Sequence, residues 1–149
     1  MKGTHLLSEE VITAAITKGG ARAESIAGTH FAAQLSIDGY PFIIDTVAEE
    51  GGDDLGPNPT RTLEGALAAC AVMTMRMYAA RKKWPLTSVA VTVMRAPGED
   101  GHVVKNLIKE IEIVGDLDDE QRARIKEIGD RCPVHRMLTE GVQIESRQA

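Results

Sequence analysis

The two cysteines are the residues of this sequence best suited to chemistry. Cys70 lies within a long segment rich in Ala and Met, and Cys132 lies in the short segment from Arg131 to Arg136. A thiolate is both a nucleophile and a metal ligand, and two thiols that meet can form a disulfide reversibly. The function predicted for this chain therefore depends on whether the two sulfur atoms come together in the fold.

Cys132 is followed directly by Pro133, and proline favours the first turn of a helix. We therefore expect Cys132 at the N-terminus of a short helix, where free backbone N–H groups and the helix dipole favour a thiolate. Arg131, His135 and Arg136 are nearby residues that would add positive charge. A cysteine that merely borders a helix, without a chemical role, is the alternative.

Cys70 lies near the middle of the segment from Gly56 to Pro85. The spacing of its apolar residues predicts a helix of roughly 20 residues, with Pro59 in the first turn and Pro85 after its end. Steps of three and four place these residues on one buried face: Leu63, Ala66, Leu67, Cys70, Met73, Thr74 and Met77. Four charged residues are expected to face away: Glu64, Arg76, Arg81 and Lys82.

Burial of Cys70 on that face has a chemical consequence. A buried thiol has a raised pKa and behaves as a small apolar side chain. For Cys70 to react, a cation such as an arginine must stabilise its thiolate.

The remaining chain alternates strand and helix patterns. Alternating apolar residues predict strands, with Asp38-Gly39 as a hairpin turn between two of them; the expected strands are 9–18, 31–37, 40–45, 89–94, 107–114 and a short last one at Val142 and Ile144. Residues 48–58 are acidic and glycine-rich and predict an exposed loop. Asp118 is a predicted helix N-cap, and that helix should end near Gly129.

Composition limits the class of protein. The 149 residues fit one domain, 1–149, and strands mixed with a long and a shorter helix indicate the α+β class. A net charge of −5 argues against nucleic-acid binding, and the lack of a long apolar run argues against a membrane span or a signal peptide. We therefore expect a cytoplasmic protein, where the cysteines would be free, redox-active or metal-binding.

A metal site is a further alternative for the cysteines. Cys132 and His135 have two residues between them, and Cys70 could supply a third ligand. Zinc requires four ligands or three and a water, and no Cys-x-x-Cys pair is present. We therefore predict neither a metal nor a cofactor.

Six short motifs, taken together, resemble the OsmC/Ohr family, and more closely its general OsmC-like branch than the organic hydroperoxide resistance branch. In chain order they are Gly56-Pro57-Asn58-Pro59, Leu67-Ala68-Ala69-Cys70, Met75-Arg76-Met77-Tyr78-Ala79, Trp84-Pro85-Leu86, Gly115-Asp116-Leu117 and Cys132-Pro133-Val134-His135. The resemblance implies an α+β fold with antiparallel sheets around a long central helix, and an intertwined homodimer.

The resemblance also implies thiol peroxidase chemistry that consumes a small-molecule peroxide and a thiol reductant. In that chemistry Cys70 would attack the peroxide, and Cys132 would resolve the sulfenic acid as a disulfide. The family holds its activating arginine with a glutamate after the Asn-Pro motif, where this sequence has Thr60. Arg22 and Arg61 are the candidates for the activating arginine.

The missing glutamate favours a competing function from another class. The chain could be a non-enzymatic dimeric module that binds small hydrophobic or thiol ligands, with both cysteines structural. Substitution of Cys70 by serine separates the two, because a binder would keep its ligand and a peroxidase would lose its turnover.

Overall fold

The computed structural model describes residues 20–148, so the strand predicted at 9–18 lies outside the described residues. The chain divides between Thr62 and Leu63 into two compact units. Each unit contains an antiparallel sheet, and a long helix begins in the first and continues through the second. The predicted α+β class is therefore confirmed.

The first unit contains a three-stranded sheet in the order β1-β2-β3, with β1 Ala21–Ser25, β2 Ala33–Ile37 and β3 Tyr40–Ile44. Asp38 (φ 49°) and Gly39 (φ 87°) form the turn between β2 and β3. Positive φ at both central positions matches the twist of a two-residue hairpin, and glycine and aspartate tolerate it better than most residues. The hairpin prediction is confirmed.

The segment after β3 is organised by Asp45, which is only 3% exposed. Its carboxylate accepts hydrogen bonds from three backbone N–H groups, those of Thr46 at 2.8 Å and of Asp53 and Leu55 at 3.1 Å. A short 3-10 helix, Ala48–Glu50, lies between these contacts. The predicted loop is therefore mostly exposed but is held in shape by one buried carboxylate.

The long helix α1 runs from Pro59 to Lys82, as predicted. Asn58 satisfies its first turn, because its Oδ1 accepts from the Arg61 N–H and the Thr60 hydroxyl, both at 2.9 Å. Lys83 follows the helix with a positive φ of 57°.

The second unit adds the antiparallel pair β4 Leu86–Arg95 and β5 Leu107–Gly115, then α2 Asp119–Gly129 and α3 Pro133–Glu140. Asp118 caps α2 as predicted, through a capping box with Gln121. The core is formed by α1, α2 and Cys132, and side chains of both strands pack against it: its buried members are Leu67, Ala71, Met75, Ala79, Ile125 and Cys132.

The prediction of which α1 face is buried was wrong in large part. Leu63, Met73 and Met77 are 47%, 63% and 70% exposed, whereas Glu64 is buried. The buried residues follow Leu67, Ala71, Met75 and Ala79 instead. Because α1 is apolar on several sides, its periodicity does not identify the face against which the strands pack.

The prediction of a last strand at Val142 and Ile144 was also wrong. The described residues after Glu140 form no strand, and they are exposed. An alternating pattern needs a neighbouring strand to supply hydrogen bonds, and none pairs with this segment in the described part of the chain. Between residues 20 and 148, no helix is both long enough and apolar enough to cross a membrane.

Candidate thiol site

Cys132 is the N-cap of α3, as the sequence predicts. Its backbone is extended (φ −64°, ψ 152°), Pro133 occupies the first turn, and its sulfur accepts from the His135 N–H at 3.4 Å. The residue is completely buried, at 0% exposure. The helix therefore directs one backbone donor at a thiol that water does not reach.

The expectation that this position favours the Cys132 thiolate is not met, because the pKa of the thiol is raised. Burial raises the pKa of the Cys132 thiol above its ordinary value, and the hydrogen bond from the His135 N–H opposes that rise only in part. An interaction with the Cys70 thiol raises the pKa further, whereas the charge of Lys109 lowers it. Desolvation disfavours the thiolate more strongly than one helix terminus favours it.

Two of the three residues expected to add positive charge near Cys132 are paired with carboxylates instead. Arg131 pairs with Glu127, and Arg136 pairs with Glu140 on the exposed side of α3. The cation that acts on Cys132 is Lys109 of β5. The alternation along β5 contained the signal, because Lys109 occupies a position on the same strand face as Leu107 and Ile111.

Cys70 lies on α1, half-buried, and packs against the core cluster that contains Cys132. Both cysteines are free, and Cys70 contributes to the raised pKa of Cys132. The two cysteines, distant in sequence, therefore belong to the same core of the second unit. Cys70 is the more accessible of the pair.

Lys109 connects the segment around Cys132 to β5. Its Nζ lies 2.7 Å from Asp130 Oδ1, 3.1 Å from the Gly129 carbonyl oxygen and 3.2 Å from His135 Nδ1. This salt bridge holds the pKa of Asp130 below its ordinary value, although partial burial acts to raise it.

The two candidate arginines lie in the first unit. Arg22 is on β1, where its guanidinium pairs with Glu24 and about half of its side chain is exposed. Arg61 lies in the first turn of α1, and the Thr60 hydroxyl, at the position where the resemblance implies a glutamate, donates to Asn58. The role of either arginine beside Cys70 stays a prediction.

One buried ion pair was not expected from the sequence. Glu64 of α1 accepts from Arg95 Nε of β4 at 2.8 Å, and the two side chains are 8% and 13% exposed. Glu64 stands three residues before Leu67 and seven before Ala71, so it shares the helix face on which these two buried residues lie.

A metal site receives no support from the geometry. Among residues 20–148, no group of three or more His, Cys, Asp or Glu side chains could hold a metal ion. The His135 backbone N–H donates to the Cys132 sulfur, and the His135 ring contacts Lys109 through Nδ1.

Solved structures share this fold. An OsmC-like protein from Mycoplasma pneumoniae is 20% identical, with 83% of this chain and 88% of that chain covered and a TM-score of 0.66. An organic hydroperoxide resistance protein, OsmC, from Legionella pneumophila is 20% identical, with 83% and 90% covered and a TM-score of 0.59. A Vibrio cholerae protein named for organic hydroperoxide resistance, with captopril bound in one of its active sites, is 21% identical, with 82% and 85% covered and a TM-score of 0.57.

At these identities the structures establish the fold alone. No curated protein matches the sequence significantly. The family model described as OsmC-like protein, however, matches residues 51–147, which include both cysteines and most of the second unit. Because that match covers well more than half of the 149 residues, the chain belongs to the OsmC-like protein family.

Proposed function

We propose that this protein is a thiol-dependent peroxidase that reduces organic hydroperoxides through Cys70 and Cys132. Its family includes proteins associated with hydroperoxide resistance. One observation on this chain carries the proposal: Cys70 packs against the core cluster that contains Cys132, and it helps to raise the pKa of the Cys132 thiol. These are the two cysteines of the sequence, so the pair is complete within a single chain.

The difference in burial supports the order of their roles. Cys70 is half-buried and Cys132 is fully buried with a raised pKa, so Cys70 is the thiol that a peroxide can meet first. The Cys70 sulfur attacks one peroxide oxygen, the O–O bond breaks, and the alcohol leaves with the proton. The product on Cys70 is a sulfenic acid, which condenses with a neighbouring thiol.

The experiment is intact mass spectrometry of the reduced protein after one equivalent of cumene hydroperoxide. We expect a loss of about 2 Da, reversed by a dithiol, because disulfide formation removes two hydrogens. The matched control is Cys132→Ser, in which a gain of about 16 Da on Cys70 marks the unresolved sulfenic acid. A gain of about 16 or 32 Da in the unaltered protein would overturn the two-cysteine cycle.

An arginine is proposed to activate Cys70, with Arg22 and Arg61 as the candidates. A nearby cation favours the thiolate and lowers its pKa. The pH dependence of Cys70 alkylation in Arg22→Ala and Arg61→Ala identifies which arginine acts. If neither substitution raises the apparent pKa of Cys70, the activating group lies elsewhere.

We also propose that the chain forms a homodimer and that it acts in the cytoplasm. Residues 1–149 would form a single domain in each subunit. The exposed apolar residues Leu63, Met73 and Met77 on α1 support a second copy as the partner. A two-fold interface would remove the same surface of both chains from water.

A ligand-binding module without chemistry is the second candidate. It is favoured by Thr60, whose hydroxyl donates to Asn58 where the family has its glutamate, and by the captopril in an active site of the Vibrio cholerae neighbour. Captopril affinity of Cys70→Ser compared with the unaltered protein tests it. A binding module should bind captopril equally well with and without the Cys70→Ser substitution, and neither protein should consume peroxide.

A further inference from the structure

Lys109 is a nearly buried cation that has no part in the attack of Cys70 on the peroxide. Its side chain is 10% exposed and lies on the inward face of β5. An ammonium group has three protons to donate. Asp130, the Gly129 carbonyl and His135 Nδ1 accept all of them, at 2.7, 3.1 and 3.2 Å.

These partners lie on both sides of Cys132 in the chain. Gly129 and Asp130 end α2 before the cysteine, and His135 lies in the first turn of α3 after it. One strand side chain therefore fixes the turn that carries Cys132 at both of its ends. Because lysine donates only, the His135 Nδ1 must accept, and the ring proton belongs on Nε2.

The same ammonium also acts on the sulfur through its charge. The ionisable groups around Cys132 come from four elements: Cys70 from α1, Lys109 from β5, Asp130 from the turn after α2 and His135 from α3. Cys70 disfavours the Cys132 thiolate and Lys109 favours it. Asp130 partly neutralises Lys109 across 2.7 Å.

We propose that Lys109 is the positioning residue of the second cysteine: it fixes the turn that carries Cys132 beside Cys70, and its charge stabilises the Cys132 thiolate as that thiolate attacks the oxidised Cys70. The inference rests on the proposed peroxidase cycle, and it assigns a role to a residue that lies outside both cysteine motifs.

The step that Lys109 assists is balanced within the chain. Cys132 loses its proton, and its thiolate attacks the sulfur of the Cys70 sulfenic acid. The S–S bond forms, the S–O bond breaks, and the departing hydroxide takes up the proton as water. Cys132 is oxidised and the sulfenic sulfur of Cys70 is reduced, so no further oxidant is needed.

The first experiment measures the pKa of Cys132 by thiolate ultraviolet absorbance in a Cys70→Ala chain, with the cysteine-free chain as the blank. Lys109→Gln removes the charge, and we expect the pKa of Cys132 to rise by about one unit. Lys109→Arg keeps the charge and should leave that pKa near its starting value. Lys126→Gln is the matched control, because Lys126 approaches the same Asp130 at 3.7 Å from the exposed side.

Asp130→Asn gives the opposite expectation and protects the test if Lys109→Gln does not fold. Removing the Asp130 carboxylate leaves the Lys109 charge unneutralised, so the pKa of Cys132 should fall. A residue with a structural role alone would change the melting temperature in both variants without moving this pKa in opposite directions. An unchanged pKa in Asp130→Asn, or in a folded Lys109→Gln, overturns the proposal.

The second experiment separates this inference from the proposed function. In a chain with both cysteines, Lys109→Gln should slow the appearance of the disulfide after peroxide addition about tenfold and leave the formation of the sulfenic acid unchanged. If the unaltered protein forms no sulfenic acid at all, the peroxidase proposal fails, and the pKa shifts still decide the electrostatic role of Lys109. If disulfide formation keeps its rate in Lys109→Gln, the positioning role is refuted while the peroxidase stands.

Discussion

Arg95 donates from Nε to the buried Oε1 of Glu64 across 2.8 Å, and this bond joins β4 to α1. The two side chains retain 13% and 8% of their exposure. Taking two charges out of water is costly, and their mutual attraction offsets that cost only while both are present. The pair therefore makes the packing of α1 on β4 depend on each partner.

We expect Glu64→Gln to lower the free energy of unfolding by about 3 kcal/mol, because the buried Arg95 guanidinium would lose the carboxylate charge that its Nε contacts at 2.8 Å. Urea unfolding followed by circular dichroism measures the change. Glu112→Gln on the exposed face of β5 is the control and should be nearly neutral. The double variant Glu64→Leu with Arg95→Met should recover most of the loss, and a double variant as unstable as the single one would contradict this account.

Cys132 should stay protonated at neutral pH, because burial and the Cys70 thiol both raise its pKa. The fold thus disfavours the thiolate, and stability should fall as the pH rises above about 8.5, the ordinary thiol pKa, toward the higher value of the folded state. Thiolate absorbance against pH checks the first statement, and Cys70→Ala should lower the Cys132 pKa. A Cys132 pKa below that of free cysteine would show that α3 outweighs burial.

Acid should release the contact between His30 and Asp53 in the first unit. Asp53 accepts from the His30 N–H at 2.7 Å and contacts its Nδ1 at 2.8 Å. These bonds hold the pKa of Asp53 below its usual range, so the contact is complete above about pH 3.9 and is lost as the pH falls through the lowered value.

Asp53→Asn should reproduce that release at neutral pH, as several-fold faster hydrogen exchange of the His30 amide. Asp54→Asn is the matched control, since asparagine also tolerates the positive φ of 54° at that position. Equal exchange rates in Asp53→Asn and the unaltered protein would show that the carboxylate is dispensable.

The exposed apolar residues of α1 predict the oligomeric state. Light scattering should give twice the chain mass of 16.1 kDa. Met73→Glu should shift the protein toward the monomer, because a charge would then be buried in the interface without a partner. Val103→Glu, at an apolar residue that is 82% exposed in a loop, should leave the dimer intact. A 16.1 kDa monomer in the unaltered protein at micromolar concentration would refute the dimer.

The hairpin turn and the starts of two helices could be predicted from the sequence, because residues adjacent in the chain determine each of them. Asp38-Gly39 forms the hairpin turn, Asp118 caps α2, and Cys132-Pro133 begins α3. In each case one or two side chains set the backbone angles or satisfy a neighbouring N–H group. The resemblance to the family likewise singles out Cys70 and Cys132, and their joint role in a peroxidase cycle stays a prediction.

Only the tertiary structure decided which side of α1 is buried, because Ala and Met make several of its faces apolar and the position of β4 and β5 selects one. It also decided the state of Cys132. The helix terminus favours a thiolate locally, but the packing of Cys70, α2 and β5 around the sulfur removes water and raises its pKa. Lys109 contacts His135, next to Cys132, from a strand that is distant in sequence. Desolvation and charge depend on distances in space, which the order of residues alone does not provide.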